Sequence, residues 1–237
     1  MTFLCYVVAM EAEAQPFIAF YAMQERKGFF APLPCRLWEC EYESITLYVV
    51  TPGRHHDRDL IGCEAAAMTT TAVMERLHPD MIINSGTCGA WARHGMHVGQ
   101  VCIGSGAMFH DRRVPGDNVW ATQGLGNYQV WQGSKRMAEA LGLAMGKVTT
   151  GSSFDMTKED EQNIENNGGQ LKEMEGAAVA FVCSQYGIPV VLVKAVTNLR
   201  DAPDDDMETF HNNLRTASEA LLEANKQILS YLANATL

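Results

Sequence analysis

Short apolar runs alternate along the chain with longer segments in which apolar residues recur at helical spacing. Uninterrupted apolar runs are typical of strands that a sheet buries on both faces. They predict strands at 3–9, 45–51, 81–83, 98–109, 148–152 and 189–196. Helical spacing predicts helices at 63–77, 175–186 and 208–232. The alternation indicates an α/β fold in which helices pack against a sheet.

Three segments break these patterns and are predicted to be loops. Residues 84–89 are small or polar and predict a turn directly after the third strand. Residues 115–133 are rich in Gly, Asn and Gln and lack periodicity, which predicts a long functional loop. An acidic loop is expected at 201–206, before the last helix. Since no repeat and no break in composition divides the chain, we expect residues 1–237 to form one domain.

The formal charge of the chain is −10, from 28 acidic and 18 basic residues. This balance repels a nucleic-acid polyanion, so a small neutral molecule is the expected partner. No apolar run approaches the roughly 18–20 residues that span a bilayer, and we expect no membrane association. The seven cysteines form no CxxC pair, which is typical of a reducing compartment. We therefore expect a cytoplasmic protein.

Ionisable side chains stand where predicted strands end, and open α/β sheets bind ligands at such ends. Glu13 follows the first strand and is explained either by a helix start or by a carboxylate that accepts a proton from water. Glu173 and Glu175 precede an apolar helix, where capping explains one acid and a bound diol explains the other. Lys194 lies inside an apolar strand, where an unpaired ammonium is costly to bury. We therefore expect a carboxylate or a ligand oxygen beside Lys194.

Six segments resemble the nucleoside phosphorylase superfamily, and most of all its plant-type methylthioadenosine nucleosidases. They occur in the family's order and spacing and cover nearly the whole chain: VVAMEAEA (7–14), PDMIINSGTCGA (79–90), FHDRRVP (109–115), TGSSFDM (150–156), KEMEGAAVAFV (172–182) and VVLVKAVTNLRD (190–201). The resemblance implies a three-layer α/β/α sandwich with a central mixed sheet, a homodimer that binds a purine nucleoside, and no cofactor.

The reaction that the resemblance implies is hydrolysis of the N-ribosidic bond of 5′-methylthioadenosine, with S-adenosylhomocysteine as a second candidate substrate. Glu13 would be the general base that activates water, and Glu175 would bind the ribose hydroxyls with Met174 against the sugar. Phe154 would stack on the purine. The resemblance places Met10, Met207 and Phe210 at the 5′-alkylthio group, and the backbone of Ser153 and Asp155 at the purine edge. It places Thr87 and Lys194 near the water and the sugar, and Phe109 in the neighbouring subunit's pocket. The remaining substrate-binding residues that it implies are Cys88, Gly89, Glu173 and Thr197.

Asn198 departs from the family's pattern, in which an Asp at this place gives a proton to purine N7. An amide donates a hydrogen bond but does not transfer that proton. Three explanations stay open: a substitution introduced to trap a ligand, a natural member with weakened or no activity, and a preference shifted towards 6-oxopurines. Asn198 is therefore a catalytic position whose residue leaves the activity of the chain in question.

Two other functions compete with hydrolysis. A phosphorylase needs basic residues at its phosphate, whereas Glu11 and Glu13 follow the first strand and no Lys or Arg precedes Arg26. A nucleoside-binding or storage protein without turnover would explain Asn198, but not the retained acids. We therefore favour hydrolysis.

The segment that contains His55 and His56 invites a metal site. Adjacent side chains are expected to diverge, however, and no further ligand is spaced nearby. We therefore expect a solvated loop without metal.

Overall fold

The computed structural model describes residues 2–115, 118–203 and 207–235. Its strands are β1 (Thr2–Val7), β2 (Gln24–Glu25), β3 (Arg36–Tyr42), β4 (Ile45–Thr51), β5 (Arg54–His55), β6 (Arg58–Asp59), β7 (Met81–Ala90), β8 (Val101–Phe109), β9 (Ala144–Thr150), β10 (Leu171–Glu173) and β11 (Val190–Leu199). Its helices are α1 (Glu11–Phe20), α2 (Cys63–Leu77), α3 (Asn118–Leu125), α4 (Ser134–Leu141), α5 (Lys158–Asn166), α6 (Gly176–Tyr186) and α7 (Met207–Asn234). None of these described helices has the length and apolar character that crossing a bilayer requires.

Nine strands form one mixed sheet in the order β10-β9-β8-β11-β7-β1-β4-β3-β2. At its centre, β7 lies between β1 and β11 and runs parallel to both. The sheet is mixed because β8 is antiparallel to β11 and β3 is antiparallel to β4. Lys172 of β10 also pairs with Gly89 near the end of β7, so five of the strands close into a ring. The ends of β1, β7 and β11 therefore meet at one edge.

Helices cover both faces of the sheet. One core contains residues of α2 and α6, and the other contains residues of α1, α4 and α7. Successive residues of β1 reach opposite cores, with Cys5 and Val7 on one side and Leu4 and Tyr6 on the other. Burial on both faces explains the uninterrupted apolar runs of the sequence. The predicted three-layer α/β/α sandwich with a central mixed sheet is confirmed.

Two loop predictions are wrong. The strand predicted at 81–83 continues to Ala90, because the small residues 84–89 pair with β11 rather than turning away from it. The segment 115–133 is not one loop, since α3 forms within it and Tyr128 pairs with Ala107 of β8. Residues 116–117 of this segment and residues 204–206 of the acidic loop lie outside the described residues.

A β-bulge near the end of β11 directs side chains into the site. Val196 pairs with Cys88 and Asn198 pairs with Gly89, so Thr197 is the additional residue. The Thr197 hydroxyl donates to the Cys88 carbonyl at 3.2 Å and holds the bulge. Bulges next to active sites commonly re-aim a side chain. Here the bulge presents Asn198 at the carboxyl edge of the sheet.

Candidate active site

A pocket of about 370 Å³ opens at the carboxyl edge of the sheet, within the size range of small-molecule sites. Most of the site residues predicted from the sequence line it: Met10, Glu13, Thr87, Cys88, Gly89, Phe154, Glu173, Met174, Glu175, Lys194, Thr197, Asn198, Met207 and Phe210. These residues come from segments far apart in the chain. The parallel strands β1, β7 and β11 bring most of them together.

Glu13 lies in the first turn of α1 and lines the pocket. Its Oε1 accepts hydrogen bonds from the amide and the hydroxyl of Thr87, both at 2.7 Å. Its Oε2 accepts from the Met10 amide at 3.3 Å, so the carboxylate also satisfies the start of the helix. Burial raises the pKa of Glu13, and the Thr87 hydrogen bonds oppose that rise. A raised pKa makes the ionised carboxylate a better proton acceptor.

Glu173 and Lys194 form a buried ion pair, with Nζ and Oε2 2.8 Å apart and both side chains 1% exposed. This confirms the prediction of a carboxylate beside Lys194. Lys194 Nζ also donates to Asn84 Oδ1 at 2.8 Å, and Glu173 Oε2 accepts from the Gly176 amide at 2.7 Å at the start of α6. Burial alone would raise the pKa of Glu173, but the Lys194 ammonium, with hydrogen bonds from Thr150 and Gly176, holds that pKa below its ordinary value.

Glu175 stands directly before α6, and its Oε1 accepts from the Gly62 amide at 2.7 Å. Burial and the nearby Glu173 carboxylate raise the pKa of Glu175 to about 7, although Lys194 opposes the rise. The buried carboxylates of Glu13 and Glu173 and the partly buried carboxylate of Glu175 thus lie near the buried ammonium of Lys194. A positive charge that develops in a bound ligand would be stabilised there.

Aromatic and thioether side chains line the other side of the pocket. Phe154 comes from the loop after β9 and Phe210 from the first turn of α7. Their ring centroids lie 5.7 Å apart at an interplanar angle of 80°. Met207 is 48% exposed, which places it at the mouth. This wall offers a stacking surface for a planar ring and an apolar contact beside it.

Three of the predicted site residues do not line the pocket. Phe109 is 4% exposed and packs in the core of its own chain, with its ring centroid 6.0 Å from that of Tyr128. Its part in a neighbouring subunit's pocket stays a prediction. Ser153 and Asp155 flank the aromatic residue of the loop without lining the pocket, and the Ser153 carbonyl accepts from Lys172. Their part in binding a purine edge stays a prediction.

The β5–β6 hairpin contributes pocket residues that the sequence analysis missed, namely Asp57, Arg58 and Asp59. Residues 54–58 are exposed, as expected of a solvated loop, and the hairpin lines the pocket as well. Positive φ values at His56 and Asp57 form its tight turn and bring the His55 and His56 rings within 4.0 Å, so these side chains do not diverge. The described residues contain no group of three or more His, Cys, Asp or Glu side chains that could hold a metal. The sequence did indicate that this hairpin could reach the pocket, because it directly follows β4 and ligands bind where strands of such sheets end.

Further pocket residues were also missed: Asn84, Ile61, Lys172, Arg200 and His211. Arg200 packs against Gly89 and leaves no room for a side chain there, because a Cβ at Gly89 would lie 2.6 Å from the Cδ of Arg200. Sequence spacing carries no signal for such a contact, which depends on how two strands meet.

Comparison with known proteins gives the family. The sequence model of the phosphorylase superfamily matches residues 4–230. The chain belongs to this superfamily. It is 36% identical over 235 residues to the 5′-methylthioadenosine nucleosidase of Arabidopsis thaliana, covering 96% of this chain and 86% of that relative. It is 30% identical over 236 residues to a 5′-methylthioadenosine/S-adenosylhomocysteine nucleosidase of the same plant, covering 97% and 91%.

A solved structure agrees with the sequence comparison. The apo form of the Arabidopsis thaliana 5′-methylthioadenosine nucleosidase has a TM-score of 0.96 at 34% identity, over 100% of this chain and 98% of that chain. The resemblance to the plant-type methylthioadenosine nucleosidases is confirmed.

Proposed function

We propose that the chain hydrolyses the N-ribosidic bond of 5′-methylthioadenosine and releases adenine. The observation that carries this proposal is the buried Glu13 carboxylate, which Thr87 holds in the same pocket as Glu175 and Phe154. The pocket thereby offers a proton acceptor for water, a carboxylate for a diol and an aromatic surface for a purine. Relatives that cover nearly the whole chain carry the name of this activity.

The reaction needs water to be activated while the sugar becomes positive. Glycoside cleavage passes through a transition state that resembles an oxocarbenium ion. Glu13 accepts a proton from the water whose oxygen bonds to C1′, and the electron pair of the C1′–N9 bond moves onto the purine. Glu175 accepts hydrogen bonds from the ribose hydroxyls, while Met174 packs against the sugar. The carboxylates oppose the developing positive charge.

Asn198 sets what happens to the leaving purine. It is 2% exposed in the bulge of β11 and lines the pocket. Its amide donates a hydrogen bond to purine N7 but supplies no proton. A positioned general acid contributes roughly 10²–10⁴-fold to the rate, so we expect slow turnover with retained nucleoside binding.

Phosphorolysis is the second candidate, and the carboxylates nearest Lys194 disfavour it. A phosphate beside the proposed water position would meet the carboxylates of Glu13, Glu173 and Glu175. At a separation of ~4 Å, each pair of unit charges would cost roughly 1–4 kcal/mol at effective dielectrics of 80 to 20. Lys194 already pairs with Glu173 and Asn84. Water meets no such repulsion.

The assembly and location that we propose are a cytoplasmic homodimer of single-domain subunits. Apolar side chains on α3 and α6 support the dimer: Val119 is 71% exposed, Trp120 56%, and Phe181 and Tyr186 42% each. Exposed apolar surface of this kind commonly marks a protein interface.

The decisive experiment compares adenine release from 5′-methylthioadenosine with and without phosphate, for the chain as it stands and for Asn198→Asp. We expect release that is independent of phosphate and faster in the variant. Formation of a ribose 1-phosphate product would refute hydrolysis. Good turnover of inosine by the Asn198 form, with no gain in the variant, would establish the 6-oxopurine preference. Tight nucleoside binding without turnover in either form would establish a binding protein.

A further inference from the structure

Lys172 is a buried lysine of β10 that the reaction described above does not use. It is 4% exposed and lines the pocket. Its Nζ donates to the carbonyl oxygen of Ser153 at 2.9 Å and to that of Phe154 at 3.0 Å. The neighbouring Glu173 directs its carboxylate to Lys194 instead. The ammonium of Lys172 is thus committed to the backbone of the loop after β9.

Two carbonyl contacts on consecutive residues constrain the backbone on both sides of Phe154. A third contact precedes them, because the Ser152 amide donates to Asp111 Oδ2 at 2.6 Å. Residues 152–154 are therefore held by side chains from two different strand ends. An ammonium suits this task, since its three N–H groups can serve acceptors that converge on one point. Fixing the backbone limits the directions in which the Phe154 ring can point.

We propose that Lys172 is a positioning residue that holds the Phe154 turn in the conformation that stacks on the purine. The inference rests on the proposed function only in taking a purine as the ligand. Lys172 acts through Phe154, so its loss reduces affinity for the purine part of the substrate. The proposed base Glu13 and the sugar-binding Glu175 are held by Thr87 and Gly62 and keep their places.

The test measures the affinity of free adenine by calorimetry, together with KM and kcat for 5′-methylthioadenosine. Lys172→Met should weaken adenine binding and raise KM by about 10- to 100-fold, the scale of a lost charge-assisted contact. Lys172→Arg should recover part of the affinity. Lys147→Met is the matched control, because Lys147 Nζ also donates to a carbonyl, that of Asn167 at 3.1 Å, but lies outside the pocket. It should leave both quantities unchanged.

A double mutant separates positioning from a general effect on the fold. In Phe154→Ala, the additional loss caused by Lys172→Met should nearly vanish, because residues that act as a unit are not additive. Additive losses, or unchanged adenine affinity in a folded Lys172→Met protein, would overturn the inference. Should Lys172→Met not fold, Lys172→Gln, which keeps a neutral donor, tests the same contacts and is expected to weaken adenine binding with less effect. Unchanged adenine affinity in that variant would equally overturn the inference.

The same measurements distinguish the two proposals. A parent protein that binds adenine but cleaves no nucleoside would refute hydrolysis, and the variants' adenine affinities would still decide the role of Lys172. A parent protein that binds no purine would refute both.

Discussion

Replacing Lys194 by Met is expected to destabilise the protein strongly. The ammonium lies 2.8 Å from Glu173 Oε2, and both side chains are 1% exposed. Methionine keeps the length of the side chain but leaves Glu173 and Glu13 buried without their cation. Breaking a buried ion pair by removing one partner costs about 3–5 kcal/mol, because the other charge stays buried and uncompensated. We expect the free energy of unfolding at pH 7 to fall by about that amount.

The pH dependence of this loss follows from the pKa of Glu173. In the parent protein Lys194 holds the pKa of Glu173 below its ordinary value. The ion pair therefore stabilises the fold fully above about pH 4.3, the pKa of Glu173 in the unfolded chain. This stabilisation is lost as the pH falls through the lower pKa of Glu173 in the folded protein. In Lys194→Met, burial without the cation raises the pKa of Glu173. The folded variant then binds the extra proton, and lowering the pH stabilises it. The difference between the two proteins should therefore shrink from neutral pH towards pH 5.

Urea unfolding at pH 7.5 and pH 5 measures this difference. The double variant Lys194→Met/Glu173→Gln removes both charges and should recover at least about 2 kcal/mol of the loss. Lys226→Met is the matched control, since Lys226 pairs with Glu223 at 3.0 Å with side chains 29% and 63% exposed, and should cost at most about 1 kcal/mol. The reasoning fails if Lys194→Met costs no more than Lys226→Met, or if the double variant is as unstable as the single one.

Three further predictions concern the acids and the surface. Glu13→Gln should abolish turnover while substrate binding survives, and a change confined to KM would contradict the base role. Glu175→Gln should weaken substrate binding by about 1.5–3 kcal/mol. The pKa of Glu175 in the folded protein is raised to about 7, so its ionisation lowers the stability of the parent protein as the pH rises from about 4.5 to 7. Urea unfolding of Glu175→Gln should lack that decline. Trp120→Glu should produce monomers in light scattering, and a monomeric parent protein would refute the dimer.

The charged part of the site could be predicted from the sequence because its physical reasons are local. Lys194 interrupts an apolar strand, and the cost of burying an ammonium requires a partner, which is Glu173. Glu13 stands where a buried strand ends, and parallel strands bring such ends together. For each of these residues, the charged side chain and the apolar run beside it are both visible in the sequence. Their neighbours in space then follow from the topology of the sheet.

Other parts of the site depend on contacts between loops that are distant in the chain, and hydrophobic periodicity does not predict such contacts. The small residues 84–89 predicted a turn, whereas β7 uses them as strand between two neighbours. Lys172 contacts a turn 18 and 19 residues earlier in the chain, so the spacing gives no reason to pair them. Phe109 was assigned to an interface from its place in a long apolar strand and from resemblance, and in its own chain it packs in the core.

The charge balance of the pocket gives Asn198 a specific meaning. Around the buried ammonium of Lys194 the carboxylates of Glu13, Glu173 and Glu175 are in excess, although other cations line the pocket. This local excess of negative charge suits a sugar that becomes positive as its bond to the purine breaks. The same excess would raise the pKa of an Asp at position 198, because nearby carboxylates disfavour a further negative charge. An Asp there would therefore be protonated and able to donate to N7. In the mechanism that we propose, Asn198 lacks the proton donor but keeps the neutral hydrogen bond, so the cationic sugar stays stabilised while the leaving purine does not receive its proton.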